Sequence, residues 1–193
     1  MKIGIPKEYF TDVNDPEVIS QVMKSIDVLK AQGAEIVEIS LPYTKYGVAV
    51  YYIVSPCELS TNMERYDGVR YGNFQKDDIN NLFEYYTKSR GQGLGVEILR
   101  RIMVGTFCLS SESYEAYYLK AQKVRTLLIE DFKNAFSKVD LIAGPVSPTA
   151  AFKLNSKANN PLEMYQCDAL TIPSNCAGIP GISVPAGFTN TGL

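Results

Sequence analysis

The chain has 193 residues, a formal net charge of −2 and an apolar fraction of 46%, which suit one domain with a sizeable core and give no electrostatic footprint for nucleic acid. It contains no histidine, so Ser-His-Asp, Cys-His and histidine–metal chemistry are excluded within it. No apolar run approaches the roughly 18 residues of a membrane span, so we expect no membrane partner. The four cysteines lack a C-x-x-C spacing, so we expect no metal site and free thiols, in a cytoplasmic protein.

The first 40 residues predict a parallel strand–helix–strand unit, with strands at residues 2–6 and 35–39. Asp15 and Pro16 predict the start of the intervening helix, because Asp caps free backbone N–H groups and Pro fits the first helical position. Gly33 predicts its end. One buried face is predicted from helical spacing, at Ile19, Val22, Met23, Ile26 and Leu29.

The middle of the chain is predicted to be mostly helical. Helices are expected at residues 48–63, disturbed near Pro56, at residues 79–89 and at residues 96–107, with a flexible glycine-rich connection at residues 91–95. A longer helix is expected at residues 113–136. Its apolar stripe comprises Tyr114, Tyr117, Ala121, Val124, Leu128 and Phe132.

The last third of the chain predicts further strands, at residues 140–145 and 182–185, around a short helix at residues 162–170. A turn at residues 189–192 follows the last strand, which would then lie unpaired at a sheet edge, an arrangement that complete domains avoid. We therefore expect an α/β fold with a mixed sheet flanked by helices, in a chain that is a piece of a longer protein, truncated at both ends.

Several separate sequence runs together carry a family resemblance. These runs are K-I-G-I-P-K-E-Y-F from Lys2, Y-Y-I-V-S-P-C-E-L-S-T-N from Tyr51, M-E-R-Y-D-G-V-R-Y-G from Met63, R-R-I-M-V-G-T-F-C-L-S-S from Arg100, A-Q-K-V-R-T-L from Ala121, and the tail from Pro161 to Phe188. In this order they resemble the C-terminal half of the A subunits of glutamyl-tRNA(Gln) and aspartyl-tRNA(Asn) amidotransferases, a family of amidase-signature enzymes. The resemblance covers essentially the whole chain. It implies that residues 1–193 are a partial amidase-signature domain, with the catalytic Lys/Ser/Ser half missing upstream and the last strands missing downstream.

The resemblance also implies a function. Members of that family hydrolyse glutamine to glutamate and ammonia. The ammonia passes to a second subunit, which uses ATP and magnesium to convert misacylated Glu-tRNA(Gln) or Asp-tRNA(Asn). This chain would provide the glutamine-binding wall without a cofactor of its own. Its expected partners are glutamine, the other subunits of the complex and, through the partner subunit, misacylated tRNA.

No catalytic residue is expected within the chain itself. The one Ser-Ser pair, Ser110-Ser111, lacks the flanking glycines that a nucleophile turn needs to expose amide groups to an oxyanion. Ser111 is instead predicted to cap the following helix. The polypeptide alone is therefore predicted to be inactive.

Arg101 is the first candidate substrate-binding residue. A guanidinium can hold the α-carboxylate of glutamine through two hydrogen bonds, which a lysine cannot do, and the resemblance assigns that role to this position. The alternative is an arginine on the surface of a helix. Neighbouring residues on a helix face about 100° apart, so the sequence leaves open which of Arg100 and Arg101 faces the site.

Asp168 and Tyr51 complete the predicted site. A carboxylate at Asp168 would accept the substrate α-ammonium, so that the pair with Arg101 selects a zwitterion. The alternative for Asp168 is a helix cap or a solvent-facing side chain. The Tyr51 hydroxyl could reach the same ligand, although a tyrosine in an apolar helix also suits a core position with a satisfied hydroxyl.

Two other functions stay open at this point. The first is an amidase-signature hydrolase that acts on an amide without a zwitterionic end. The second is a non-catalytic ligand-binding or scaffold domain.

Overall fold

The computed structural model describes residues 1–11, 14–72, 79–157 and 160–193, which form two compact units, residues 1–50 with 123–193 and residues 51–122. In chain order its elements are β1 (Lys2–Pro6), α1 (Pro16–Ala31), β2 (Glu35–Ile39), α2 (Gly47–Met63), α3 (Leu82–Gly93), α4 (Val96–Leu109), α5 (Lys120–Phe136), β3 (Leu141–Ile142), α6 (Pro161–Gln166) and α7 (Ile172–Ala177). None of the described helices is long and apolar enough to cross a membrane.

The predicted strand–helix–strand unit is confirmed. β1 and β2 pair in parallel, and β3 pairs in parallel with the other edge of β1, giving the order β2-β1-β3. The α/β class is therefore as expected, but the sheet of the described residues is parallel throughout and not mixed. Residues 182–185, predicted as a last strand, have no strand structure.

Helix α1 begins and ends at the residues that the sequence indicates. The Asp15 carboxylate accepts a hydrogen bond from the Glu17 N–H at 2.8 Å, and Gly33 adopts the left-handed conformation (φ +94°) just beyond the helix. Ile26 is buried on its predicted apolar face, whereas Met23 at the margin of that face is exposed.

The core of the first unit lies between the sheet and the C-terminal half of α5. Its buried residues are Tyr9, Ile39, Leu41, Phe132, Ala135 and Val139. The buried Asp131 carboxylate, on the same helix, accepts the Tyr43 backbone N–H at 2.8 Å. This hydrogen bond ties the chain after β2 to α5.

The predicted helix at residues 113–136 contains a π-helical segment at Glu115–Leu119 before α5. A π-turn has more residues per turn than an α-helix, so it rotates the preceding side chains out of register with the stripe that follows. Ala121, Leu128 and Phe132 are accordingly buried, while Tyr114 and Tyr117 are exposed and do not join that stripe.

The second unit is helical, and two of its helices approach closely. α2 continues through Pro56, which is fully buried. A methyl group added at Gly105 on α4 would overlap with the Pro56 carbonyl and lie 2.8 Å from the Ser60 hydroxyl. Only glycine therefore permits this α2–α4 contact.

Two boundaries in the second unit differ from the prediction. α3 starts at Leu82, because the Asn81 side chain caps it by accepting the Glu84 N–H at 2.9 Å. It then continues through Gly91 to Gly93, so the predicted flexible connection is mostly helical. Helices tolerate isolated glycines at a cost of about 1 kcal/mol each.

The C-terminal part of the first unit departs most from the prediction. The strand predicted at residues 140–145 is only two residues long, and the helix predicted at residues 162–170 ends at Gln166. A further helix, α7, begins after Thr171. The predicted turn near the end is confirmed, since the Gly192 N–H donates to the Thr189 carbonyl at 3.0 Å.

Candidate functional site

Arg101 lies on α4 in the second unit, within a small group of polar and aromatic side chains. Its Nε donates to Oε1 of Glu97, one helical turn earlier, at 2.9 Å. Its Cζ lies 5.1 Å from the centre of the Tyr52 ring, a distance suited to a cation–π contact. The guanidinium is thus held on one side by a carboxylate and on another by an aromatic face.

The charge of Arg101 is stabilised by these neighbours. Burial alone disfavours the charged form, but hydrogen bonds to Glu97 and Tyr51 raise the pKa of the Arg101 guanidinium above its usual value. Arg101 is therefore a permanent cation in a partly desolvated place. Such a group binds an anion more strongly than an arginine surrounded by water.

Arg100 and Arg101 differ in exposure. The Arg101 side chain is 21% exposed and that of Arg100 is 46% exposed. Both bind Glu97, since Nη1 of Arg100 donates to Oε2 of the same carboxylate. The less exposed Arg101 side chain packs against the tyrosines of α2.

Tyr51 and Tyr52 lie in sequence on α2, with ring centres 5.1 Å apart in an edge-to-face arrangement. Tyr51 hydrogen-bonds Arg101 and Tyr52 lies under its guanidinium. The structure thus brings Tyr51 and Arg101 together. The sequence analysis did not identify Tyr52 or Glu97. The i, i+4 spacing of Glu97 and Arg101 is a signal from which the contact between these two residues could have been predicted.

The packing between α2 and α4 determines where these side chains meet. Cys57 and Cys108 are both buried and hydrogen-bond each other between these helices, and the Cys57 Sγ lies 3.8 Å from the Gly105 carbonyl. Burial is the main cause that raises the pKa of the Cys57 thiol to about 11. The two thiols therefore act as neutral core groups.

Asp168, the third predicted residue, lies in the first unit, in the turn between α6 and α7. Its backbone is well held, because its N–H donates to the Tyr165 carbonyl at 3.2 Å and its carbonyl accepts the Ile172 N–H at 2.9 Å. The side chain is exposed enough to meet solvent. The backbone of Asp168 thereby connects the two short helices, and its pairing with Arg101 across a glutamine molecule stays a prediction.

A cavity of about 620 Å³ in the first unit was not anticipated from the sequence. Cys167 and Ala169, the neighbours of Asp168, are among its lining residues, together with Glu8, Lys45, Lys157 and Glu163. The Lys157 ammonium lies 3.2 Å from the Cys167 sulfur and 3.7 Å from the Glu163 carboxylate. No periodicity or motif marks these residues in the sequence, because they come together only in the folded chain.

The serine pair does not form a nucleophile turn. The Ser110 hydroxyl donates back to the Phe107 carbonyl at 2.8 Å and so ends α4. The prediction that Ser111 caps the next helix is wrong, because Tyr114 occupies the cap position of the π-helical segment, without a side-chain cap. Within the described ranges, no three His, Cys, Asp or Glu side chains group in a way that could hold a metal ion.

Comparison with known proteins finds relatives that share one name and are similar to this chain over nearly its whole length. The chain is 51% identical over 193 residues to the A subunit of the glutamyl-tRNA(Gln) amidotransferase of Myxococcus xanthus strain DK1622, covering 100% of this chain and 40% of that relative. It is 53% identical over 190 residues to the protein of the same name from Streptococcus pyogenes serotype M1, covering 98% and 39%. The chain thus spans about two fifths of the length of these relatives.

A solved structure of a protein with the same name is also similar to this chain. The A subunit of the glutamyl-tRNA(Gln) amidotransferase of Thermotoga maritima superposes with a TM-score of 0.70 at 35% identity, covering 98% of this chain and 36% of that one. The family model described as Amidase matches residues 1–193. Since this match extends over the whole chain, the chain belongs to the amidase family.

Proposed function

We propose that this chain is part of the glutamine-hydrolysing subunit of a tRNA-dependent amidotransferase and provides its glutamine-binding wall. The observation that carries this proposal is the identity of 51% and 53%, over nearly the whole chain, with two relatives named as A subunits of glutamyl-tRNA(Gln) amidotransferases. Because the chain spans about two fifths of those relatives, the catalytic lysine and the two serines would lie in the part of the protein outside it.

The Arg101 group supports this function by its chemistry. A partly buried guanidinium held by Glu97 and bordered by Tyr51 and Tyr52 suits the α-carboxylate of an amino acid. Asp168 is proposed to receive the α-ammonium. An enzyme with both contacts would favour glutamine over amides that lack charged ends, since unpaired site charges penalise such ligands.

The rest of the assembly follows from the same proposal. Ammonia released from glutamine would pass to a partner subunit, which would use ATP and magnesium to amidate Glu-tRNA(Gln) or Asp-tRNA(Asn). This chain would carry no cofactor and would meet tRNA only through that partner. The complex would work in the cytoplasm, where charged tRNA is made.

The test is glutamine hydrolysis by the full-length protein assembled with its partner subunits. We expect glutamine to be hydrolysed and butyramide, which has no α-carboxylate or α-ammonium, to be a poor substrate. Arg101→Ala should lower kcat/KM for glutamine by about 10³-fold, because it leaves the substrate carboxylate without its cation.

The matched control is Arg65→Ala, which removes an exposed guanidinium from the same unit and should leave kcat/KM within about threefold. Equal turnover of butyramide and glutamine would instead favour an amidase with a different substrate class. Absence of amide hydrolysis by the whole assembly would favour a ligand-binding or scaffold domain.

A further inference from the structure

Arg101 does not stand alone on α4, and the contact that fixes its orientation comes from Glu97. Oε1 of Glu97 accepts the Arg101 Nε–H at 2.9 Å, and Oε2 is bound by Arg100. One carboxylate is therefore held from both sides by two arginines of its own helix.

This arrangement limits how Arg101 can meet a ligand. A guanidinium can grip a carboxylate side-on, through Nε and one Nη, or end-on, through both Nη atoms. Nε carries a single hydrogen, and Glu97 receives it. The Nη end, which also hydrogen-bonds Tyr51, is what Arg101 presents to a ligand, and the Tyr52 ring lies 5.1 Å from the Arg101 Cζ.

We propose that Glu97 is a positioning residue for glutamine, which holds Arg101 so that it receives the substrate α-carboxylate end-on. This inference rests on the proposed glutamine-binding role of Arg101. Glu97 itself need not touch the substrate, and it acts by restricting the rotamers of a long side chain before binding.

The charge of Glu97 and its positioning of Arg101 have opposite effects on glutamine binding. Glu97 is an anion near the place proposed for an anionic group, so its Coulomb effect alone would repel the substrate carboxylate. Neutralising it would then tighten glutamine binding. If Glu97 orients Arg101, neutralising it loosens the guanidinium and weakens binding.

The decisive variant is Glu97→Gln in the full-length protein with its partner subunits. We expect KM for glutamine to rise about tenfold and kcat to stay within about twofold, since a neutral acceptor holds the guanidinium less firmly than a carboxylate. Glu97→Asp, which keeps the charge on a shorter side chain, should recover part of the loss. Amidation supplied with free ammonium salt bypasses glutamine, and its unchanged rate would show that the variants are folded.

A double-mutant cycle separates positioning from general structural support. In an Arg101→Ala background, Glu97→Gln should have no further effect on KM, because the group that it orients is gone. The matched control is Glu84→Gln, which removes another i, i+4 pair of the same unit, with Lys88 at 2.9 Å, and should leave KM within about twofold.

The outcomes distinguish this inference from the proposed function. If Arg101→Ala leaves KM unchanged, the glutamine-binding role of Arg101 fails, and the inference fails with it. If Arg101→Ala raises KM while Glu97→Gln leaves it unchanged or lowers it, only the positioning role of Glu97 is overturned. Additive effects in the cycle would also overturn it.

Discussion

Arg101 and Asp168, the two charged residues proposed to bind the ends of glutamine, are held in different ways. Arg101 is held through its side chain, by Glu97, Tyr51 and Tyr52, on a helix that packs closely against another. Asp168 is held through its backbone, in a turn between two short helices. A long guanidinium needs side-chain contacts to be oriented, whereas a short carboxylate follows its backbone.

The largest expected effect concerns the side-chain contacts of Arg101. Arg101→Lys should lower kcat/KM for glutamine by about 10²-fold, because an ammonium keeps the charge but lacks the planar fork and the Nε–H that Glu97 binds. Steady-state hydrolysis by the assembled full-length protein measures it. A lysine variant with nearly normal kcat/KM would mean that charge alone matters and would remove the contrast with Asp168.

The next effect tests the helix contact that supports Arg101. Gly105→Ala should lower the free energy of unfolding by about 1–3 kcal/mol, because the added methyl group overlaps with the Pro56 carbonyl. Thermal unfolding of the full-length protein measures this change. KM for glutamine should also rise, because the separation of α2 and α4 moves Tyr51 away from Arg101.

Gly91→Ala is the matched control for this substitution. Gly91 lies within α3, and a methyl group there meets no atom within 4 Å, so the variant should be more stable by about 0.5–1 kcal/mol. If both alanine variants behaved alike, the close α2–α4 contact would carry no weight in the folded protein.

The same contrast explains which parts of the structure the sequence predicts. The strand–helix–strand unit is predicted to the residue, because Asp15, Pro16 and Gly33 act locally on the helix ends. The run at residues 182–185 has strand composition but no strand structure, because pairing needs a neighbour that composition does not reveal. The failure at Tyr114 and Tyr117 arises from one π-turn, which shifts the helical register without a signal in the spacing.

In the candidate site, too, contacts between residues close in sequence can be predicted, and contacts between helices cannot. Arg101 was predicted from the family resemblance and Tyr51 from the reach of its hydroxyl, and the structure adds Glu97 and Tyr52 to them. The Glu97–Arg101 pair could have been predicted from i, i+4 spacing. The contact of Arg101 with Tyr52 could not, because those residues come together only through the α2–α4 contact that Gly105 permits.

A smaller effect is expected at the other end of the proposed site. Asp168→Asn should raise KM for glutamine about tenfold, because the amide cannot attract the α-ammonium, while the turn itself should survive. The backbone hydrogen bonds to Tyr165 and Ile172 stay available in this variant, and thermal unfolding is the control for an intact turn. A large loss of stability would show that the carboxylate, and not the backbone, holds this turn.

Alkylation of the cysteines compares the two regions with no substitution at all. Cys57 and Cys108 are buried between α2 and α4, and the pKa of Cys57, raised by burial to about 11, leaves on the order of 0.1% thiolate at pH 8. Cys167, next to Asp168, is partly exposed with the Lys157 ammonium 3.2 Å from its sulfur. Iodoacetamide at pH 8, followed by mass spectrometry, should therefore modify Cys167 first.

The pH dependence of Cys57 gives this comparison a second measurement. In the unfolded chain its thiol ionises near its ordinary pKa, and in the folded chain only near 11, so its contribution to stability is present below the ordinary value and is lost as the pH rises toward 11. Labelling of Cys57 should stay slow until the pH enters that range and the helix contact opens. Labelling of Cys57 as fast as that of Cys167 at pH 8 would contradict the view that the Arg101 region rests on a tightly packed support.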